Sequence, residues 1–193
     1  EHLSELVVKA VKRVVVKTKD GVVVDKDDIK IEKKIGGGVE DSQLIDGIVL
    51  DKERIHPSMP KLVKDARIAL IDSAIEVKST EIDAKITISD PEKMQAFLDM
   101  EENMLRRMVD KIAASKANVV FCQKGVDDMA QHLFAKKGIF VARRISKSDL
   151  EKLSKATGGV IITDLSDLSE KELGKAGAVE EVKINDESLT YVM

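Results

Sequence analysis

Tryptophan is absent from this 193-residue sequence, and cysteine, proline and aromatic residues are scarce. The single cysteine, Cys122, excludes a disulfide within the chain and favours a reducing, cytoplasmic compartment. No apolar run reaches the length of about 18 residues that a membrane-spanning helix needs, so we expect no membrane partner. The first residues, EHLSEL, lack the basic start and apolar centre of a signal peptide.

The sequence also lacks a large excess of charge of either sign. The chain has 32 basic and 35 acidic residues, closely interspersed, and a net charge of −3. A nucleic-acid-binding surface needs a basic stripe or patch, so we expect no nucleic-acid partner. With 43% hydrophobic and 35% charged residues, the composition indicates an ordinary core beneath an unusually charged surface.

The first section of the chain, residues 1–46, shows no complete core of its own. It begins with a helix-like segment, HLSELVVKAVKRV, and Asp20-Gly21 predicts a tight hairpin turn. The segment IKIEKKI, residues 29–35, alternates apolar and charged residues, which predicts a half-buried strand. Residues 36–38 are three glycines, and these end the pattern.

The remainder of the chain predicts an α/β domain. The segments GIVLD and RIALIDSAIEV read as strands, and residues 117–184 repeat a strand-then-helix rhythm. Ser146 or Ser148 can cap one of these helices, while Gly138 and Gly158 can end two of them. Such alternation predicts mostly parallel βαβ units. Residues 48–80 and 117–193 would then form one domain with a long helix inserted between its halves.

The inserted helix is the most unusual segment. Ser89 or Asp90 can cap it, and residues 90–114 would span roughly 37 Å. Because a compact domain of about 150 residues is only roughly 40 Å across, we expect part of the helix to have no core to enter. Its apolar residues fall within an arc of roughly 140°, except Met100.

This helix is predicted to divide into two halves. The C-terminal half should pack on the sheet through Leu105, Met108, Val109 and Ile112. The N-terminal half should present a binding surface, since methionine makes adaptable contacts and exposed apolar patches commonly mark interaction sites. The alternative is that the whole stripe packs in the core.

Several long runs closely resemble the group II chaperonins, and the archaeal thermosome in particular. These runs are GGGVEDSQLIDGIVLDKERIHPSMPKLVKDARIALID, ISDPEKMQAFLDMEENMLRRMVDKI, KANVVFCQKGVDDMAQHLFAKKGIFVARR and SDLEKLSKATGG. The resemblance covers essentially the whole chain. It implies a fragment of a subunit, with residues 1–46 as part of the intermediate domain and residues 47–193 as the apical, substrate-binding domain.

The resemblance also implies a function and its residues. The inserted helix, about residues 80–115, would be the helical protrusion that forms the built-in lid of a double-ring folding chamber for unfolded polypeptides. Gly47 would lie at the apical–intermediate hinge, and a second helix, Val126–Lys136, would edge a groove for clients. The implied client and lid residues are Ile86, Ile88, Met94, Phe97, Leu98, Met100 and Met104, and the implied groove residues are Met129, His132 and Phe134.

The nucleotide chemistry of the family has no counterpart in these residues. The Gly-Asp-Gly-Thr-Thr phosphate-binding loop is absent, so Mg-ATP is expected to serve only the full-length subunit, and this chain is expected to be no enzyme and to hold no cofactor. The alternative, without the resemblance, is a doubly wound α/β enzyme or nucleotide-binding domain. It would place a polar ligand crevice at the C-terminal ends of the strands.

Three features have simpler readings than a functional one. Cys122 lies in an apolar segment and is expected to be a buried small hydrophobe. Asp128 and His132 share a helix face, but no third metal ligand is evident nearby. Met129, Leu133 and Phe134 could each belong to the core or to the groove, with Leu133 the best core candidate.

The composition further predicts thermal stability. Lysine and glutamate dominate the charged residues, and the only amides are Gln43, Gln95, Asn103, Asn118, Gln123, Gln131 and Asn185. Because hyperthermophile proteins show this bias, we expect a melting temperature above about 65 °C. Circular dichroism during heating measures it, and a transition within the ordinary mesophile range would remove the hypothesis.

Overall fold

The structure, a computed structural model, describes residues 2–19, 21–77, 91–184 and 187–193, without the side chains of residues 91–94. The helices within these residues are α1 (His2–Arg13), α2 (Pro91–Ala114), α3 (Asp128–Lys136) and α4 (Lys147–Thr157). The strands are β1 (Val15–Thr18), β2 (Gly21–Val24), β3 (Ile48–Leu50), β4 (Leu62–Ile71), β5 (Val119–Cys122), β6 (Phe140–Ala142), β7 (Ile161–Ile162), β8 (Gly174–Ile184) and β9 (Glu187–Val192).

The N-terminal section contains the expected helix and hairpin. Strands β1 and β2 pair in antiparallel fashion from Val15 with Val24 to Thr18 with Gly21. Gly21 has φ of +138°, a value that side chains disfavour. The predicted turn residue Asp20 lies outside the described residues.

The prediction of a strand at residues 29–35 is wrong, and so is the expectation that its apolar side chains face the protein. The structure assigns no strand there. Ile31 is 75% exposed and Ile35 is 97% exposed, whereas the side chains of Lys30 and Lys34 are only 15% and 17% exposed. The alternation is therefore present, but the charged side faces the protein. A period of two shows that two faces differ, and it does not show which one is covered.

The main sheet has mixed strand directions, which corrects the expectation of mostly parallel βαβ units. Its order is β3-β9-β8-β4-β5-β6, with β7 beside β4. The pairs β4–β5, β5–β6 and β4–β7 are parallel, while β3–β9, β8–β9 and β4–β8 are antiparallel. The strand-helix rhythm holds for β4 to β7, and the long β8–β9 hairpin adds the antiparallel half.

The sheet is buried on both of its faces. Along β5, Val120 and Cys122 pack with α2 and α3, while Val119 and Phe121 pack on the side of α4. All four residues of β5 have no exposed surface. Parallel strands with both faces covered read as continuous apolar runs, which explains the apolar segment around Cys122 and agrees with the expected burial of that residue.

The helix ends follow their sequence signals. Asp127 caps α3 by accepting a hydrogen bond from the backbone N–H of Met129, and Ser146 caps α4 by accepting one from Asp149. Gly138 and Gly158 adopt positive φ just beyond α3 and α4. These caps fix where each helix begins above the strand that precedes it.

Strand β4 contains an irregularity that Asn118 bridges. Asp65 has φ of +50° and interrupts the pairing of β4 with β8. The Asn118 side chain accepts a hydrogen bond from the backbone N–H of Arg67 at 2.6 Å and donates one to the backbone oxygen of Asp65 at 3.2 Å. One side-chain amide thus serves as the hydrogen-bond partner of two backbone groups of β4, those of Asp65 and Arg67.

We predict that Asn118→Ala destabilises the chain by about 1–3 kcal/mol, because two backbone groups lose their partner. Urea denaturation followed by circular dichroism measures this loss. The matched control is Asn103→Ala on the exposed face of α2, which should change the stability little. Equal stabilities for the two variants would show that this part of β4 does not depend on Asn118.

Candidate functional site

Helix α2 changes from buried to exposed along its length. Leu105 is 4% exposed, and Val109 and Ile112 are fully buried against the sheet and α3. Every residue from 95 to 100 is exposed. The 24 residues of α2 are about 36 Å long, so the sheet supports only its C-terminal half. The burial of the C-terminal half and the exposure of residues 95–100 agree with the prediction, whereas the binding role of the N-terminal half stays a prediction.

The exposed half of α2, residues 95–104, carries four large apolar side chains. Phe97 is 44% exposed, Leu98 is 49%, Met100 is 62% and Met104 is 38%. Side-chain pairs within the helix stabilise it there: Gln95 donates a hydrogen bond to Asp99 at 2.9 Å, and Arg106 forms a salt bridge with Glu102 at 2.7 Å. At about 100° per residue, Phe97 and Met104 share one side of the helix, with Leu98 and Met100 flanking them in opposite directions. These four exposed apolar side chains are hereafter the α2 surface.

Three other predicted members of this surface are not described. Ile86 and Ile88 lie outside the described residues, as does the side chain of Met94. Their assignment to a client or lid surface stays a prediction.

Helix α3 divides its predicted groove residues between surface and core. Met129 is 40% exposed and His132 is exposed, so both can meet a partner. Phe134 and Ala130 are fully buried, and Leu133 is only 8% exposed. Placing Phe134 in the groove is therefore wrong, because it lies on the helix face that packs on the sheet.

The histidines of this region make no metal centre. His132 meets His56 edge to face, with ring centroids 5.9 Å apart. The Nδ1 atom of His56 accepts a hydrogen bond from the backbone N–H of Ser58, so Nε2 carries the proton in the neutral ring. Asp128 accepts a hydrogen bond from Gln131. No group of three or more potential metal ligands occurs among the described residues.

Cys122 is a buried thiol without a nucleophile's surroundings. Its sulfur donates towards the backbone oxygen of Ser73 at 3.2 Å. Burial raises the pKa of the Cys122 thiol to about 11, since the thiolate would lose its hydration. At neutral pH the group is therefore protonated and unreactive.

Gly47 lies where two backbone segments nearly touch. Its φ is +152°, and a Cβ placed there would be 1.9 Å from the backbone oxygen of Val192. Ile48, the next residue, pairs with Val192 across β3 and β9. This close approach requires glycine without any hinge motion, so the hinge role of Gly47 stays a prediction.

A cleft beside the N-terminal section does not support a doubly wound enzyme. It has a volume of about 1040 Å³ and lies between α1 with β1 and the sheet side formed by α4 and β8. None of its lining residues belongs to the segments that directly follow β4, β5 or β6. A doubly wound enzyme would bind its ligand at those strand ends.

Sequence reasoning missed the lysines that join the two parts of the chain. Lys30 contacts Asp149 at 2.6 Å, and Lys34 contacts Asp51 at 2.7 Å and Glu187 at 2.6 Å. The alternation in IKIEKKI was the available signal, but the isoleucines were assumed to face inward.

Comparison with known proteins decides the family. The model of the TCP-1/cpn60 chaperonin family matches residues 1–193. The chain belongs to the TCP-1/cpn60 chaperonin family. This match confirms the resemblance to the group II chaperonins that the sequence motifs indicated.

Individual relatives point the same way. A thermosome subunit of Methanopyrus kandleri is 56% identical over 192 residues, and thermosome subunit alpha of Thermoplasma acidophilum is 57% identical over 194 residues. Both alignments cover 100% of this chain and 35% of the relative. This chaperonin chain thus spans about a third of the length of the curated relatives it matches.

A solved structure shares the fold. The open-state monomer of a group II chaperonin from Methanococcoides burtonii superposes with a TM-score of 0.80 and 44% sequence identity. The match covers 99% of this chain and 42% of that chain. Among the described residues of the chaperonin chain, no helix is long and apolar enough to cross a membrane.

We predict that Gly47→Ala destabilises the chain by about 3 kcal/mol, because the new Cβ must displace the Val192 carbonyl in addition to adopting positive φ. The matched control is Gly138→Ala, where φ is +67° and the added Cβ meets nothing within 4 Å. The control should lose only about 1 kcal/mol from backbone strain. Chemical denaturation compares the two, and equal losses would contradict the close-approach explanation.

Proposed function

We propose that this chain is the client-binding and lid-forming section of a group II chaperonin subunit. Residues 47–193 are assigned to the apical domain, and residues 1–46 to part of the intermediate domain. Helix α2 is assigned to the helical protrusion. The α2 surface carries this proposal, because it is a large apolar surface on a helix that has left the core.

The energetics of the α2 surface suit reversible binding. Complete burial of one such side chain contributes about 1.5–3 kcal/mol. The four side chains are 38–62% exposed, so each has roughly 1 kcal/mol still to gain. Four such contributions, set against the entropic costs of association, give weak to moderate affinity, which allows a client to leave again.

The chemistry of the α2 surface also suits varied clients. Met100 and Met104 have flexible, polarizable side chains that adapt to irregular partners. Phe97 and Leu98 add area without hydrogen-bonding demands. A surface of this kind recognises exposed apolar segments in general, and those are what unfolded polypeptides present. Met129 and His132 on α3 are candidates for a second contact.

The lid role would use the same surface in a second, mutually exclusive way. When the apical domain rotates, protrusions of neighbouring subunits in a double ring would meet each other, and client contact would be lost. Such a switch needs a differential contact in each state, which one apolar surface can provide.

We assign ATP binding and hydrolysis to the part of the relatives' length that this chain does not match. The described residues then hold clients passively, with Mg-ATP acting only in the longer subunit. We place the protein in the cytoplasm, where its free thiol is stable. Neither nucleic acid nor membrane is among the proposed partners.

The test is suppression of aggregation of a chemically denatured client, followed by light scattering. We predict that Phe97→Ser with Met100→Ser weakens client binding by about tenfold or more, because two half-exposed apolar contacts of roughly 1 kcal/mol each are removed. The melting temperature should change little, since both side chains lie outside the core.

The matched control is Leu3→Ser with Val7→Ser on α1. These side chains are 48% and 60% exposed, close to the 44% and 62% of Phe97 and Met100. The control variant should protect the client as well as the parent does, and added ATP should change nothing. Unimpaired protection by the α2 variant, or ATP-dependent release, would refute the proposal.

A further inference from the structure

Residues 28–34, hereafter the strap, cross from the N-terminal section to the main sheet. Asp28 contacts Lys155 at 2.7 Å and Lys30 contacts Asp149 at 2.6 Å, so two pairs join the strap to α4. Lys34 contacts Asp51 beyond β3 and Glu187 at the start of β9. Three of these four pairs join residues more than 100 positions apart in the chain.

Apolar burial does little to hold the strap. None of the described residues from 2 to 47 is buried. Ile31 is 75% exposed, and residues 30–34 belong to no strand. The side chains that point towards the main sheet are those of Lys30 and Lys34, which are 15% and 17% exposed. Charge pairing is therefore the main attachment that the strap has.

Three of the four pairs are well formed and yet open to solvent ions, whereas Lys30 and Asp149, with side chains 15% and 20% exposed, are more shielded. Hydrogen bonds to Asp51 and Glu187 raise the pKa of Lys34, and a hydrogen bond to Asp28 raises that of Lys155. Asp51 and Glu187 are themselves 61% and 63% exposed, and Lys155 is 64% exposed. Pairs with one exposed partner are screened by salt far more than buried pairs.

We propose that the strap is an ionic latch, which fixes the N-terminal section to the main sheet when its lysine pairs are formed and frees it when they are broken. The consequence is a switch between a stiff and a loose connection at the boundary near residue 47. The glycines of residues 36–38 follow the strap after Ile35 and supply the backbone freedom that release requires. The latch does not depend on client binding.

The test measures the distance between spin labels on cysteines introduced at Lys17 in β1 and Lys136 in α3. Both positions are exposed and neither residue forms an ion pair within the described part of the chain. The native Cys122 is buried, so it should stay unlabelled. At about 0.1 M NaCl the distance distribution should be narrow, and at about 1 M, where the screening length falls from about 10 Å to about 3 Å, it should broaden and shift.

Substitutions then separate specific pairs from net charge. Lys30→Glu with Lys34→Glu should lose the narrow distribution already at low salt. The control, Lys26→Glu with Lys33→Glu, makes the same charge change at two exposed lysines, one just before the strap and one within it, and should keep the narrow distribution. Lys30→Asp alone should broaden the distribution, and adding Asp149→Lys should restore it.

Two results would overturn the latch. One is a distribution that stays narrow both at high salt and in the Lys30→Glu, Lys34→Glu variant. The other is equal broadening in the control, which would assign the effect to overall repulsion. The salt series uses the strap unaltered, so a variant that fails to fold does not remove the test. Loss of client protection through the α2 surface would leave these outcomes unchanged.

Discussion

Burial of β4 and β5 on both faces is the constraint on which the rest of this structure depends. The residues Ile68 to Ile71 and Val119 to Cys122 have no exposed surface, so each face of the sheet needs its own helical layer. Helix α4 covers one face, and α3 with the last turns of α2 covers the other. Since the sheet offers α2 no surface before Leu105, its preceding turns are free for another use.

The parts of the fold that a buried parallel strand or a capped helix dictates could be predicted from sequence. Strand β5 is a continuous apolar run, and Ser146 with Gly158 bound α4 as their types suggest. The division of α2 followed from comparing its length with the size of a domain. The hairpin of β8 and β9 was also indicated by its sequence, but its antiparallel pairing with β4 could not be predicted in the same way, because that partner lies far along the chain.

The errors have a common physical origin, which is that periodicity shows two faces and does not name the covered one. In the strap, lysines face the protein because carboxylates at Asp149, Asp51 and Glu187 receive them. In α3, Phe134 sits one turn from Ala130 and so shares the buried face, whereas Met129 does not. The required glycine at Gly47 likewise depends on the Val192 carbonyl, which is distant in sequence.

The proposed client surface and the proposed latch use opposite kinds of contact. The α2 surface offers apolar area, whose burial is strengthened by excluded salts such as sulfate. The strap offers charge pairs with exposed partners, which any salt weakens. A rising concentration of such an excluded salt therefore weakens the strap pairs while it favours apolar contacts at α2. Because the two surfaces respond in opposite directions, apolar contact at α2 and attachment of the strap can be varied separately, and neither requires a change in the core between them.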